Sequence, residues 1–539
     1  MPYRSHDNQH RHNSQLGVGG SFWGHSPPPI SERVLDAIPG FLVWFALIFS
    51  IICAIFFPRF LLFLATLLTL YSAGRFLFAA YANQLGLKQI RQWEARDWRK
   101  HYETQRNKQS LEWDAVQHVV IIPNYNEPID ILRRTLDSLK QQCEADTRMT
   151  IVLAMEAGED ACVEKAETLQ SEYAQYFKHF HFTVHPRGLP GEMQCKSANE
   201  AWAARWIKRK LVDKLGYTIE HILVTTMDAD TQWHPQHFFA LTALFALNEN
   251  RHQHFWQAPI RYHGNIWDIN PLLRIINAYA TAFELAYLAA PQWKAMPMSS
   301  YSLSLKLLHD SNYWDGDVIA DEWHMFIKAY FVRGGDVEVE KVMLPFLADA
   351  TTGKSLVEEM REKYLQTLRH AWGSKEIGYM MGKILDHPEV PRRPALRMLL
   401  RVSHDILLAG AGWVILTVGS QLPVILHPEI APFNPLDITA NPSNAASIIG
   451  TGLLASPLWL ALTAAILITV LLAIVFWFQD VQVRPPRTHP QTMTERLWTL
   501  LSFPLMPLLM LIVLAIPVIQ AQTRLLLGKP LKFRVSKKV

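Results

Sequence analysis

The stretch HILVTTMDADTQW, residues 221–233, is the part of the chain from which the fold is predicted. Its apolar run, residues 222–226, is rich in β-branched side chains and is typical of a buried strand. Asp228 and Asp230 follow where the run ends, so both carboxylates can turn toward one hard divalent cation, Mg²⁺ or Mn²⁺. By itself, D-x-D is more typical of a solvated acidic turn, and its interpretation depends on the neighbouring segments.

Three further strand candidates precede this stretch and alternate with segments of helical spacing. The strand candidates are HVVIIPNY (118–125), MTIVLAME (149–156) and HFHFTVHP (179–186), and the helical segments are 129–142, 161–177 and 196–210. Strand–helix alternation of this kind predicts an α/β fold with a doubly wound, mostly parallel sheet. In such a sheet, ligands bind beyond the carboxyl ends of the strands.

Polar residues occur at these predicted strand ends. Pro123, Asn124, Tyr125, Asn126 and Glu127 close the first strand, Glu156 closes the second, and Asp228 and Asp230 close a later one. Their carboxylate and amide groups can accept hydrogen bonds from a ribose and a base edge while a cation neutralises a diphosphate. The segment PNYNEP also suits a turn that caps the next helix, and the two roles are compatible.

The loop GLPGEMQCKSANEA, residues 188–201, leads into a predicted helix that starts near Lys196. A phosphate could meet both the ammonium group of Lys196 and the N-terminus of that helix. An ordinary surface loop explains the two glycines and the proline equally well.

Long apolar runs lie at both ends of the 539-residue chain, which is 50% hydrophobic and 19% charged. The runs are residues 41–57, 60–81, 399–426, 448–478 and 497–519. Each is close to the roughly 20 residues that cross a bilayer as a helix. The first run starts too far into the chain for a signal peptide, so a retained membrane hairpin is predicted.

The charge distribution and the cysteine content indicate on which side of the membrane the segment between the second and third apolar runs lies. Basic residues follow the second run and precede the third, which predicts that residues 83–395 face the cytoplasm of a multi-pass cell (inner) membrane protein. Four cysteines without a C-x-x-C pair fit reduced thiols on that side. The net charge of +4 gives no reason to expect a nucleic-acid partner. The last run, with three prolines, is either a further span or a re-entrant hairpin that keeps the basic tail cytoplasmic.

Several motifs, in order along the chain, resemble those of a membrane-integrated glycosyltransferase of family 2, the group of cellulose, chitin and hyaluronan synthases. They are PNYNE (123–127), the lysine-containing element 196–200, D-x-D (228–230), Ala320-Asp321-Glu322 in place of T-E-D, and QTLRHAW (366–372) in place of Q-x-x-R-W. In the last motif His370 stands at the family's Trp position and Trp372 follows two residues later. This departure bears on processivity more than on sugar transfer.

The resemblance implies a GT-A catalytic domain inserted between transmembrane helices and an inverting transfer from a nucleotide-sugar donor, for which it favours a UDP-sugar. The nucleotide-sugar would contact Pro123, Asn124, Tyr125, Asn126, Glu127, Glu156, Lys196 and Asp228. Asp228 and Asp230 would hold Mg²⁺ or Mn²⁺, and Glu322 or its neighbour Asp321 would take the proton of the acceptor hydroxyl. Gln366, Arg369, His370 and Trp372 would contact the diphosphate or the acceptor.

These patterns predict seven segments. They are a disordered cytoplasmic tail (1–35), a transmembrane hairpin (36–83), an amphipathic linker that lies in the headgroup layer or is a cytosolic linker helix (84–114), the GT-A domain (115–375), an interfacial helix (376–398), a transmembrane region of three or more helices (399–527) and a basic tail (528–539).

The acceptor predicted from the resemblance is a growing β-linked polysaccharide, with translocation through the spans as a possible extension. Transfer to a polyprenyl-phosphate or glycolipid acceptor is the alternative. A transporter with a soluble regulatory domain is a third interpretation, disfavoured because the apolar runs hold few ionisable residues. The predicted partners are therefore a nucleotide-sugar, a glycan or lipid-linked acceptor and the lipid bilayer.

Overall fold

The structure is a computed structural model that describes residues 22–24, 30–290, 292–431, 444, 456–487 and 489–531. The predicted tails 1–35 and 528–539 lie largely outside these residues. An α/β domain occupies the middle of the chain, and long apolar helices flank it on both sides.

The α/β domain is built on a seven-stranded sheet. Its strands are β1 (Gln117–Asn124), β2 (Met149–Glu156), β3 (His179–His185), β4 (Ile222–Thr226), β6 (His254–Gln257), β8 (Tyr301–Ser304) and β9 (Glu338–Lys341), in the order β3-β2-β1-β4-β8-β6-β9. A second sheet holds β5 (Gln232–Trp233), β10 (Phe346–Leu347) and β7 (Ile260–Arg261), in that order.

Strands β3, β2, β1 and β4 are parallel, and only β8 runs antiparallel to its neighbours in the larger sheet. The register pairs Asn124 with Met155 and Ile121 with Thr226, so β1, β2 and β4 end at one edge. All four strands predicted from the apolar runs are confirmed, and so is the mostly parallel α/β fold. The edge at which these strands end is where ligands bind in such sheets.

Two apolar helices precede the domain: α1 (Glu32–Phe56) and α2 (Pro58–Glu94). The domain helices are α3 (Trp98–Gln105), α4 (Ile129–Lys140), α5 (Ala145–Arg148), α6 (Cys162–Tyr173), α7 (Lys196–Ile207), α8 (His237–Leu247), α9 (Arg274–Ala289), α10 (Leu305–Asp310), α11 (Asp321–Val332), α12 (Leu356–His370) and α13 (Lys375–Asp386). Apolar side chains from these helices pack on both faces of the sheet, so the central parallel strands β1, β2 and β4 are buried on both sides.

The predicted amphipathic linker packs against the domain through the apolar faces of α2 and α3. Helix α2 continues through Glu94, and Trp98 and Tyr102 of α3 are each only 1% exposed. They contact Trp93 and Trp113, and the Tyr102 hydroxyl donates to the Leu111 carbonyl at 2.8 Å. An amphipathic pattern indicates only that one face is covered, and here the protein core covers it rather than lipid.

The C-terminal apolar helices are α14 (Arg392–Leu407), α15 (Leu422–Leu426), α16 (Pro457–Val481), α17 (Met493–Met510) and α18 (Ile516–Leu527). Three π-helical segments lie among them: Leu408–Gly412 after α14, Ile415–Gly419 before α15, and Leu511–Ala515 between α17 and α18. Residues 376–398, predicted as one interfacial helix, are divided between α13 and the start of α14.

Four helices of the described chain are long and apolar enough to cross a membrane: Glu32–Phe56, Pro58–Glu94, Pro457–Val481 and Met493–Leu527. A bent pair, Arg392–Gly412 with Ile415–Leu426, would make a fifth at a bend of 48°.

Both ends of the last of these helices, Met493–Leu527, contact the α/β domain. Near its start, Arg274 of α9 pairs with Glu495 at 3.3 Å. Near its end, the Tyr364 hydroxyl donates to Gln520 at 2.6 Å, and Gln522 donates to the Ser374 hydroxyl at 3.4 Å. The helix therefore lies along the domain and covers the sheet edge where the parallel strands end.

Candidate active site

A cavity of about 580 Å³ lies at the carboxyl ends of β1, β2 and β4. Most of the residues predicted to bind a nucleotide-sugar line it: Pro123, Asn124, Tyr125, Glu127, Glu156, Lys196 and Asp228. So do Asp321, Glu322, Gln366, Arg369 and His370. The structure therefore brings residues from distant motifs to one cavity, called the central cavity below.

Three predicted site residues, Asn126, Trp372 and Asp230, lie in its surroundings instead of lining it. Asn126 adopts a left-handed backbone conformation (φ 64°) in the turn after β1, and its backbone N–H donates a hydrogen bond to the Glu159 carboxylate at 2.9 Å. Trp372 packs in a small apolar cluster with Ile319 and Leu368. Of the two aromatic candidates for an acceptor contact, His370 is the one that lines the cavity.

Asp230 is buried behind the cavity wall. Its carboxylate accepts a hydrogen bond from the Asp349 amide at 2.8 Å, and Asp349 forms an ion pair with Arg134 and lines the cavity. Asp228 is the carboxylate of the D-x-D motif that faces the cavity, with a side chain 33% exposed. Direct ligation of a cation by Asp230 stays a prediction.

Lys196 lies among the acidic side chains of the cavity. Helix α7 starts at this residue, as predicted, and its Nζ donates to Asp228 Oδ1 at 3.0 Å and to the Ser299 carbonyl at 3.1 Å. Glu200 and Glu322 lie at 3.7 and 3.8 Å from Nζ. Burial opposes the charged form, yet these carboxylates raise the pKa of Lys196 well above its usual range. The lysine therefore remains a cation that joins the D-x-D motif to the predicted base.

Asp321 and Glu322 form the first turn of α11 and differ in their surroundings. The Glu322 side chain is 26% exposed, whereas Asp321 is 3% exposed. Burial raises the pKa of Glu322 to about 7, and Lys196 opposes the rise. Burial also raises the pKa of Asp321 to about 8, where the nearby Glu200 carboxylate adds to the rise and Lys196 opposes it. Near neutral pH, Glu322 can accept a proton, while the Asp321 carboxyl is largely protonated.

Glu156, at the end of β2, is held by a buried histidine. His185 Nδ1 lies 3.1 Å from Glu156 Oε1, and His185 Nε2 lies 2.8 Å from Glu192 of the glycine-containing loop. Burial acts to lower the pKa of His185, but the two carboxylates outweigh it and raise the pKa to about 9. The charged imidazolium therefore fixes the loop 188–195 against β2.

This network predicts a pH-dependent contribution to stability. Because the pKa of His185 rises from 6.5 to about 9 on folding, its stabilisation is complete below pH 6.5 and is lost as pH rises toward 9. The difference in melting temperature between the parent protein and His185→Gln should be largest near pH 6.5 and shrink by pH 9.5. A difference that grows with pH would contradict a charged imidazolium. His179→Gln, on the same strand but part-exposed, is the control.

Sequence reasoning did not assign roles to three residues that organise the site. Ser299 donates to Asp228 Oδ2 at 2.7 Å from a left-handed conformation with φ 55°. Such strain in a non-glycine residue persists only where the surroundings hold it, and it often marks a functional site. Glu200 accepts a hydrogen bond from the Thr226 hydroxyl and lies near Asp321. Glu159 accepts a hydrogen bond from the backbone of the turn after β1. Glu200 lay inside the lysine-containing element, so a signal existed for it, whereas Ser299 and Glu159 stand outside the predicted motifs.

Toward the apolar helices, the central cavity changes in character. Tyr262, Tyr279, Glu284 and Lys363 also line it. A further part of the lining comes from α14, from the π-helical segments Leu408–Gly412 and Leu511–Ala515, and from α17 and α18: Asp405, Ile406, Ala409, Met510, Val513, Leu514 and Val518. The cavity therefore extends from the sheet edge to the membrane-type helices.

The donor set of the cavity fits a hard cation that also binds a substrate. Among the described residues, no three His, Cys, Asp or Glu side chains are grouped so that they alone could hold a metal ion. Mg²⁺ is usually bound by one or two carboxylates, with substrate phosphates and waters completing its octahedron. Asp228, the accessible carboxylate of the D-x-D motif, matches that mode.

Residues 119–310 match the family model described as glycosyl transferase family 2. A search of curated proteins finds no match. These residues are similar to glycosyl transferase family 2, and the GT-A-like, mostly parallel α/β fold class predicted from the sequence is confirmed.

Solved structures were also compared with the chain. The crystal structure of GalNAc-T7 with UDP, GalNAc and Mn²⁺ has a TM-score of 0.33 and 10% identity, over 52% of this chain and 56% of that one. The crystal structure of S. aureus TarS 1–349 has a TM-score of 0.30 and 11% identity, over 68% of this chain and 88% of that one. That of S. aureus TarS has a TM-score of 0.27 and 14% identity, over 62% and 55%. The chain thus spans little more than half the length of the first and third of these structures.

Proposed function

We propose that the chain is a membrane-bound, inverting glycosyltransferase that moves a sugar from a nucleoside-diphosphate donor, UDP-linked, to an acceptor oxygen in the central cavity. One observation carries the proposal: the carboxylates of Asp228 and Glu322 both lie within 3.8 Å of the Lys196 ammonium group, and Lys196 and Asp228 belong to the segment that matches glycosyl transferase family 2. That arrangement combines groups for a diphosphate with a group that can accept a proton.

The donor would bind across the ends of the parallel strands. Asn124, Tyr125 and Glu156 line the part of the cavity suited to the nucleoside, because their amide, hydroxyl and carboxylate groups can hydrogen-bond a base and a ribose. Lys196, Arg369 and His370 offer donors to the diphosphate. Asp228, with Asp230 as the predicted second ligand, would hold Mg²⁺ or Mn²⁺, and the cation supplies charge neutralisation for the departing diphosphate.

Glu322 would act as the general base. Its carboxylate takes the proton of the acceptor hydroxyl as the acceptor oxygen attacks the anomeric carbon from the face opposite the diphosphate. The bond between that carbon and the phosphate oxygen breaks, and its electron pair leaves with the nucleoside diphosphate. A single displacement of this kind inverts the configuration of the anomeric carbon.

We also infer that the catalytic domain faces the cytoplasm of a multi-pass cell (inner) membrane protein. The basic residues on either side of the domain support this orientation. The contacts that both ends of Met493–Leu527 make with the domain support a C-terminus on the same side. A helix with both ends at the domain would act as a re-entrant or interfacial segment, in keeping with the re-entrant alternative predicted from its prolines.

Two acceptor classes follow from the sequence, a growing β-linked polysaccharide and a lipid-linked acceptor. The resemblance to polysaccharide synthases supports the first. The departure at His370 from the family's Trp weighs against processive synthesis.

The proposal is tested by incubating the purified protein with a panel of radiolabelled UDP-sugars and measuring the release of UDP and the fate of the label. We expect one donor to be consumed, with activity abolished by EDTA and restored by Mn²⁺ or Mg²⁺. Glu322→Gln prepared in parallel controls for contaminating enzymes. No consumption of any donor, or equal consumption by parent and variant, would contradict the proposal.

A further inference from the structure

The central cavity has two chemically different ends. At the sheet edge it is lined by Glu156, Lys196, Asp228 and Glu322. At the opposite end, six of the seven residues contributed by the apolar helices are aliphatic or methionine: Ile406, Ala409, Met510, Val513, Leu514 and Val518. A substrate that fills the whole cavity must therefore be polar at one end and apolar at the other.

The seventh residue, Asp405, does not make this end hydrophilic, because neighbouring side chains engage its carboxylate. Arg75 pairs with Asp405 Oδ1 at 3.0 Å, and Arg401 pairs with Oδ2. The Tyr287 hydroxyl donates to Oδ2 at 3.0 Å, and His404 lies 2.9 Å from Oδ1. These partners belong to α2, α9 and α14, so the cluster joins three helices beside the cavity.

A glycan is poorly matched to the apolar end. Every sugar residue carries several hydroxyl groups that need hydrogen-bond partners when removed from water, and aliphatic side chains provide none. A passage for a polysaccharide would need polar or aromatic groups along this wall. An alkyl or isoprenoid chain has no such requirement, and its burial there is favourable.

The backbone of the two helices is irregular at the same place. The π-helical segments Leu408–Gly412 and Leu511–Ala515 pack against each other and supply Ala409, Val513 and Leu514 to the cavity lining. Single π-helical turns within α-helices occur frequently at functional sites. Both irregularities therefore coincide with the apolar end of the cavity.

We propose that the acceptor is an amphiphile, with one nucleophilic oxygen on a small polar head and an apolar chain that lies between α14 and the α17–α18 helix. The inference rests on the proposed function and narrows its acceptor. With a hydroxyl head, the acceptor oxygen bonds to the anomeric carbon, its proton passes to Glu322 and the nucleoside diphosphate leaves with the electron pair. With a phosphate head, the ionised oxygen attacks directly and no proton is transferred. The product in either case is a lipid that carries one sugar.

The test uses the full chain in phosphatidylcholine nanodiscs with the labelled UDP-sugar that the donor panel identifies. Three acceptors are compared: dioctanoylglycerol with a hydroxyl head, a short polyprenyl phosphate, and a soluble oligosaccharide of the donor sugar. We expect the label to enter the organic phase with one of the two lipids, which distinguishes the two heads. Label in a water-soluble polymer that lengthens with time, or label found only as free sugar with all three acceptors, would overturn the proposal.

Variants of Leu514 test the chain-binding end separately. Leu514→Trp narrows the apolar end, and we expect it to lower transfer to the lipid by about tenfold or more while UDP release to water persists. Leu514→Asn places an amide in the same wall without adding volume and should also lower lipid transfer. Leu508→Trp, on the same helix with a side chain 52% exposed, is the matched control and should leave transfer unchanged.

The outcomes separate this inference from the proposed function. If lipid transfer survives in both Leu514 variants, or falls equally in Leu508→Trp, the inference of an amphiphilic acceptor is wrong. UDP release in the same experiment would still support a glycosyltransferase. Absence of cation-dependent UDP release from the parent protein under all conditions would instead remove the proposed function, and the amphiphile with it.

Discussion

Replacing Glu322 by Gln is expected to lower the rate of sugar transfer about a thousandfold, within the range contributed by a general base. The amide keeps the size and the hydrogen-bonding capacity of the side chain but cannot take a proton at neutral pH. The variant should still bind UDP with the parent's affinity, because Glu322 is assigned to the acceptor. The measurement is single-turnover transfer at saturating donor, together with UDP binding by calorimetry.

Asp321→Asn is the matched control on the neighbouring position. Since burial raises the pKa of Asp321 to about 8, its carboxyl is mostly protonated at pH 7 and an amide replaces it closely. We expect only a small loss of transfer. A thousandfold loss in Asp321→Asn with an active Glu322→Gln would identify Asp321 as the base.

The same assignment fixes the pH dependence of the parent enzyme. A base must be ionised to act, and the pKa of Glu322 lies at about 7. The value of kcat/KM should therefore be low at pH values below about 7 and rise as the pH increases through about 7. A profile that declines across this interval would contradict a carboxylate base.

Replacing Asp228 by Asn is expected to lower cation-dependent turnover by about a hundredfold or more, since even partners behind a metal ligand contribute 10–100-fold. Asp228 is the cavity-facing carboxylate of the D-x-D motif, and it also pairs with Lys196 at 3.0 Å. Removing the charge of Asp228 weakens the binding of the cation. It also leaves the Lys196 ammonium group without its nearest carboxylate. A titration of turnover against Mn²⁺ measures the loss as a higher half-saturating concentration.

Asp230→Asn is compared in the same titration. The Asp230 carboxylate is buried and accepts a hydrogen bond from the Asp349 amide. We therefore expect Asp230→Asn to melt at a lower temperature than the parent protein and to shift the Mn²⁺ dependence less than Asp228→Asn does. An equal or larger shift would show that Asp230 moves to the cation when the donor binds. Unchanged Mn²⁺ dependence in Asp228→Asn would remove the metal assignment from the D-x-D motif.

Much of the domain could be predicted from the sequence because its signals are local. Strands β1, β2 and β4 are continuous apolar runs of strand length, and the polar residues after them fall at one sheet edge by the geometry of parallel strands. The start of α7 at Lys196 followed from a glycine-containing loop that leads into helical spacing.

Other features depend on contacts between distant segments and left no comparable signal. The hydrogen bond between Ser299 and Asp228 joins residues 71 positions apart, and the burial of Asp230 depends on Asp349. Trp98 and Tyr102 show why amphipathic patterns are ambiguous, since a helix face covered by protein has the same composition as one covered by lipid. For the same reason, the hydropathy of residues 493–527 could not reveal that both ends of the helix contact the domain.

We propose that Asp228, Glu156 and Lys196 form one site for a nucleoside diphosphate and a cation. Calorimetry of UDP binding to the parent protein, with Mn²⁺ and with EDTA, tests this assignment. We expect binding at one site with Mn²⁺, much weaker binding in EDTA, and equally weak binding by Asp228→Asn with Mn²⁺ present. Equal affinity in all three conditions, or no binding in any of them, would contradict it.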